Sequence, residues 1–173
     1  MAKTNVGIVD CAVYENGSNY LGIANITLPT LTAKTLTVTG LGVAGDVDFA
    51  VPGHKSAMRV TIAFRDAPED SRRIVAHGQH ILDCRVAREN YDGTNGKYII
   101  TSHKYILKVA PLTETLGTVA PASQQGASDE FACLSYEEYI DDRLVRRYDP
   151  INNVDIDYNG NDSLADVRSA LGQ

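Results

Sequence analysis

The stretch Met58-Arg-Val-Thr-Ile-Ala-Phe-Arg65 alternates without a break. Met58, Val60, Ile62 and Phe64 fall on one side; Arg59, Thr61, Ala63 and Arg65 fall on the other. A period of two fits a strand with one face buried. It cannot fit a helix, whose faces repeat every ~3.6 residues. A chain built around such a strand needs partner strands and a second layer over the apolar face. At 173 residues it is long enough to supply both within one domain.

The rest of the chain supplies further strands. Val6 to Tyr14 is β-rich, Asn16-Gly17 is a hairpin turn signal, and Tyr20 to Leu28 is the expected partner. Thr30 to Thr39 alternates, with Thr35, Thr37 and Thr39 on one face and Leu36 and Val38 on the other. A Gly-rich loop at 40–45 leads into Asp46 to Val51. Asp66 reads as an N-cap, with Pro68 in the first turn of a short helix that runs to about His77 and stops at Gly78. Gln79 to Asn90 and Lys97 to Ala110 make a second hairpin. Residues 111–127 lack periodicity and read as a long loop. Phe131 to Asp149 makes a third hairpin, turning near Asp141-Asp142. A short strand, Val154 to Tyr158, and a helix from about Leu164 to Ala170 close the chain. No repeat or linker divides residues 1–173. The expected fold is mainly β: antiparallel sheets packed as a sandwich or partial barrel, with a flanking short helix and a C-terminal helix.

The candidate chemistry is thin. Asp155, Asp157, Asn159, Gly160 and Asp166 occupy positions one, three, five, six and twelve of a calcium-loop pattern. Asp166 has a shorter arm than the usual Glu, Asp162 stands where such loops carry an apolar residue, and no entering helix precedes them. A tight turn at Asn159-Gly160 and a capping box from Ser163 to Asp166 account for the same residues. His77 and His80 flank a predicted helix end, with no third ligand near in sequence, so a solvated or capping role is expected rather than zinc binding. Cys11, Cys84 and Cys133 are far apart and form no CxxC; they read as small hydrophobes in a reducing compartment. No nucleophile elbow or phosphate loop is present, and no catalytic set or cofactor is expected. Arg143, Arg146 and Arg147 face the acidic run Glu137 to Asp142, so cross-strand pairing is expected there. A net charge of −6 disfavours non-specific binding of nucleic acid. No apolar run is long enough for a membrane span, and the first ten residues lack a signal-peptide core.

The order of the segments carries a resemblance. Tyr136-Glu-Glu-Tyr-Ile-Asp-Asp-Arg-Leu-Val-Arg-Arg-Tyr-Asp-Pro-Ile-Asn152 resembles a hairpin of the phage tail tube family, in which a "Y-I-D-G" turn precedes "E-I-D-P-L-N". Leu164-Ala-Asp-Val-Arg-Ser-Ala-Leu-Gly172 is similar to that family's ending. Tyr14-Glu-Asn-Gly17, Gly22-Ile-Ala-Asn-Ile-Thr-Leu-Pro29 and Gly40-Leu-Gly-Val-Ala-Gly-Asp-Val-Asp48 resemble its first hairpin and Gly-rich loop. Asp142 stands where the family's turn usually has Gly, and Asn161-Asp-Ser163 departs from its spacing residues.

The resemblance implies the major tube protein of a contractile tail: two antiparallel sheets packed across each other, hexameric rings, and rings stacked into a hollow tube that passes DNA or effectors. It implies a place in the virion, assembly in the host bacterial cytoplasm, and as partners further copies of the chain, the sheath, the baseplate, the tail terminator and a tape measure protein in the bore. Within that scheme Thr35, Thr37, Thr39, Asp46, Asp48 and Thr61 are candidates for the lumen, where DNA passes without sticking. Gly40, Gly42, Gly45, Leu116 and Gln124 are candidates for ring stacking. A genome-free bacteriocin or type VI secretion tube of the same fold is one alternative. A monomeric calcium- or carbohydrate-binding β-sandwich is the alternative from another class.

Overall fold

The computed structural model describes residues 3–22, 24–40, 42, 44–66 and 69–172. Its strands are β1 (Lys3–Glu15), β2 (Asn19–Tyr20), β3 (Ala24–Thr27), β4 (Ala33–Val38), β5 (Val47–Lys55), β6 (Met58–Phe64), β7 (His80–Asp92), β8 (Lys97–Thr115), β9 (Ser128–Ile140), β10 (Arg143–Asp149) and β11 (Val154–Ile156). Two helices, α1 (Glu69–Ile74) and α2 (Ala165–Ala170), are short. All pairings are antiparallel.

The alternating strand Met58 to Phe64 behaves as its pattern requires: Met58, Val60, Ile62 and Phe64 are buried. They face Val13, Leu82, Cys84, Tyr105, Leu107, Val109 and Phe131 in one core. The strands run β3-β6-β9-β8-β7-β1, and the sheet curls until β3 comes back beside β1. This is a partial barrel filled by its own side chains.

β9 is the branch point. Its first half, Ser128 to Cys133, pairs with β6; its second half, Tyr136 to Ile140, pairs with β10 on the same edge. β8 lines the other edge throughout. Among the described residues β4 and β5 pair only with each other and form a separate two-stranded ribbon.

Several expected boundaries move. Residues 20–28 are not one partner for β1. Only Tyr14↔Tyr20 and Glu15↔Asn19 follow the Asn16-Gly17 turn, while β1 pairs with β7 along its length and β3 joins β6. A turn signal fixes a local register; it does not decide which distant strand takes the rest of an edge. The long loop is shorter than 111–127, because β8 continues through Pro111 to Thr115. Proline is tolerated there because β8 has lost β7 as a neighbour after Val109, so Pro111 sits on an edge beside a bulge. The first helix spans only Glu69 to Ile74, and Pro68, placed in its first turn from the sequence, lies outside the described residues. Asp141 and Asp142 both have positive φ, 46° and 62°, which is the two-residue hairpin geometry that usually requires Asn-Gly. Asp141 tolerates it by locking the turn to Ser102: its backbone N–H donates to the Ser102 carbonyl at 2.9 Å, and its Oδ1 accepts from the Ser102 N–H at 3.0 Å.

Candidate assembly interface

The ribbon is amphipathic, yet among the described residues both of its faces are uncovered. Registered pairs share a face in an antiparallel ladder. Leu36 opposes Phe49 and Val38 opposes Val47, so four apolar side chains lie on one side. Leu36 is 64% exposed and Phe49 57%. Thr35 opposes Ala50 and Thr37 opposes Asp48 on the other side, where Thr37 Oγ1 donates to Asp48 Oδ1 at 2.6 Å. Thr39 and Asp46 follow just past the last pair. Five of the six lumen candidates therefore sit together on this ribbon. Thr61 does not: it lies in β6, half-buried between Thr27 and Glu130.

The ribbon is the continuation of the β3–β6 pair. β3 ends at Thr27 opposite Thr61, and the chain reaches Ala33 opposite Lys55 a few residues later. A backbone bond from Ser56 N–H to the Thr32 carbonyl, 2.8 Å, closes the junction. The arm leaves the sheet where β10 takes over the edge of β9.

A second uncovered feature is the outer edge of β1. Among the described residues no strand pairs with it before Tyr14. Its ladder to β7 is interrupted twice, leaving Val6 and Val9 out of register, and Val6, Ile8 and Val9 are all more than half exposed. Bulges bend and twist an edge and restrict what can add to it. Nothing in the sequence pattern marked this edge, because bulges break the alternation that sequence reading depends on.

Of the ring-stacking candidates, Gly40, Gly42 and Gly45 lie at the tip of the arm, with φ of 134° at Gly40 and 93° at Gly42; Leu41 and Val43 are outside the described residues. Leu116 is 55% exposed. The loop beyond it is tied to itself, since Thr118 N–H donates to the Gln125 carbonyl at 2.8 Å and Gln125 Nε2 to the Leu116 carbonyl at 2.6 Å. Gln124, with its amide oxygen toward Arg65, accepts from Nε and Nη2 at 2.9 Å each, which anchors the loop to the body.

The calcium-loop residues are turned to separate partners. Asp155 is held by Lys55 and by Arg146 Nη2 at 3.0 Å. Asp157 Oδ1 accepts from the backbone of Asn159 and Asn161, which holds its carboxyl below the usual carboxylate value. Asn159 and Gly160 form the exposed turn, and Asp166 lies in the first turn of α2. Among the described residues no group of three or more His, Cys, Asp or Glu is placed to hold a metal. The capping box is not formed. Ser163 Oγ reaches Asp155 Oδ2 at 3.2 Å, and it is Asp162 Oδ1 that accepts from the backbone of Asp155 and Leu164. A short side chain two residues before the cap reached the loop's own amides first.

Other expectations resolve as follows. His80 Nδ1 lies 2.9 Å from Glu15 Oε1, and Nε2 lies 3.0 Å from the Ala76 carbonyl just past α1, a capping position. Arg147 pairs with Glu137 across the hairpin at 3.3 Å, as expected. Arg146 turns instead to Asp155, and Arg143 to the hydroxyl of Tyr158. Cys84 and Cys133 are buried, and burial pushes both thiols up to about 12.

The arm is amphipathic and exposed on both faces, the outer edge of β1 is open and bulged, and Asp155, Asp157 and His80 are engaged in structural contacts. The chain belongs to the phage tail tube family: the family model of phage tail tube protein FII matches residues 7–172. It is thus a structural component of a phage tail that assembles with copies of itself into a tube. No curated protein matches the chain.

Proposed function

We propose that hexameric rings of this chain stack into the hollow inner tube of a contractile tail, the conduit for DNA. The observation that carries this reading is the arm. A face bearing Leu36, Val38, Val47 and Phe49 is unfavourable in water, and covering it yields ~25 cal/mol per Å² of apolar area. A neighbouring copy is the cover that a self-assembling tube provides. The opposite face, Thr35, Thr37, Thr39, Asp46 and Asp48, then turns to the bore, where the carboxylates repel phosphate and the set contains no Lys or Arg to hold it.

Closing strands from all copies of a ring into one barrel also removes the open edge of β1. The tip glycines and Leu116 would meet the next ring, with Gln124 bracing the loop that carries Leu116. Thr61 lies apart from this set, on the face of β6 turned away from the core. The tube's outer surface would meet the sheath, its ends the baseplate and the tail terminator, and its bore the tape measure protein before ejection. Assembly would take place in the host bacterial cytoplasm.

Sedimentation and negative-stain electron microscopy of the purified chain, with and without chelator, test the reading. Rings or hollow tubes in both conditions support it. A species that stays monomeric at high concentration, or that associates only with calcium, contradicts it.

A further inference from the structure

A two-stranded ribbon has little stability or stiffness of its own in water. The direction in which the arm projects must therefore be set at its root. The root is gripped by the C-terminal part of the chain. Lys55, the last residue of β5, forms an ion pair with Asp155 of β11, and each side chain is only 9% exposed. The Lys55 ammonium also lies 4.0 Å from the centre of the Tyr148 ring, and the Tyr148 hydroxyl donates to the Gly53 carbonyl at 3.1 Å. Arg146 Nη2 donates to the other carboxylate oxygen of Asp155, Oδ1, at 3.0 Å, and Ser163 Oγ reaches Oδ2, the oxygen that Lys55 holds, at 3.2 Å. Leu164 sits directly against the bare Cα of Gly53.

These contacts lie where β10 displaces β6 from the edge of β9, which is the point at which the arm must leave the sheet. A buried ion pair is a poor source of net stability, because desolvation offsets its attraction. It is sensitive to geometry, and its best-attested role is to fix one arrangement among several.

We propose that Lys55, Asp155 and Tyr148 are positioning residues for assembly: they clamp the arm at one exit angle, so that the isolated subunit already presents it in the orientation a neighbour requires. This rests on the reading of the arm as the intersubunit contact. Pre-orienting a contact removes its ordering cost from association, and each tenfold in the assembly constant corresponds to ~1.4 kcal/mol. The C-terminal segment thus acts on tube formation through the arm.

The test uses spin labels at Ala50→Cys on the arm and Thr94→Cys on the β7–β8 hairpin, in a Cys11→Ser background, with distances measured on the unassembled subunit. Two variants are compared with the parent: Lys55→Met with Asp155→Asn, and the milder Tyr148→Phe. The parent is expected to give one narrow distance distribution. The ion-pair variant is expected to broaden it and to cut tube yield by about tenfold or more, with Tyr148→Phe intermediate in both. Circular dichroism confirms that each variant is folded; if the ion-pair variant is not, Tyr148→Phe alone decides. Distributions as narrow as the parent's would overturn the proposal, as would broadened ones with tube yield unchanged. If the parent itself forms no tubes, the proposed function fails, and the distances still show whether the clamp sets the arm's angle.

Discussion

Leu164 lies where a Cβ on Gly53 would have to be. A methyl group built at position 53 would stand 2.3 Å from Leu164 Cδ2 and 2.4 Å from its Cγ. Gly53 also has φ of +68°, in the left-handed region that disfavours any side chain. The end of the arm and the start of the C-terminal helix are fitted to each other at this one contact.

Gly53→Ala therefore meets two obstacles at once, a strained backbone and a displaced leucine. Each costs on the order of 1–3 kcal/mol, so a loss of about 2 kcal/mol or more is expected in denaturant unfolding. Gly45→Ala, with nothing within 4 Å of the added methyl, is the control and should change stability by about 0.5 kcal/mol or less.

Phe131 is the largest fully buried side chain, placed in β9 between β6 and β8. Phe131→Ala should cost about 3–5 kcal/mol in equilibrium unfolding, since it removes the ring and leaves a cavity. A loss under about 1 kcal/mol would mean that β6, β8 and β9 do not share this core.

The thiols should separate cleanly. Cys84 and Cys133 are buried and held near pKa 12, so at neutral pH they present almost no thiolate, while Cys11 is exposed. In the unassembled subunit a thiol reagent should modify Cys11 alone. In denaturant it should modify all three cysteines.

The turn at Asp157 predicts an acid dependence. Hydrogen bonds from the backbone of Asn161 and Asn159 lower its carboxyl below the ordinary 3.8. A lowered carboxyl contributes stability that is fully present above pH 3.8 and is lost as the pH falls through its folded-state value. Asp157→Asn should flatten that part of the Tm-against-pH curve. Added calcium should leave Tm of the native chain unchanged, because Asp155 already faces Lys55 and Arg146.

Strands with one buried face were legible in the sequence. The alternation at Met58 to Phe64 gave a strand and its buried face, and the Thr/Leu alternation at 35–38 gave a strand and its two faces, both of them exposed; the grouping of Thr37 with Asp48 came from the family resemblance. The partners of those strands were harder to read. Pairing of β1 with β7, and the handover at β9 from β6 to β10, depend on contacts far apart in the chain, and no local pattern encodes them. Residues 111–115 read as loop because they do not alternate, and it is the distant β9 that pairs with them. The Asp155 to Asp166 segment looked like a ligand set because oxygen donors at short spacings serve turns and metals equally well. Lys55, more than ninety residues away, decides between the two readings.

Three-dimensional reconstruction of the assembled particle by cryo-electron microscopy is the most direct test. The account predicts a hollow tube of stacked hexameric rings, with Thr37 and Asp48 facing the bore and Leu36 and Phe49 covered by a neighbouring copy. A closed or solid assembly, or a tube in which Leu36 and Phe49 face the bore, would contradict it.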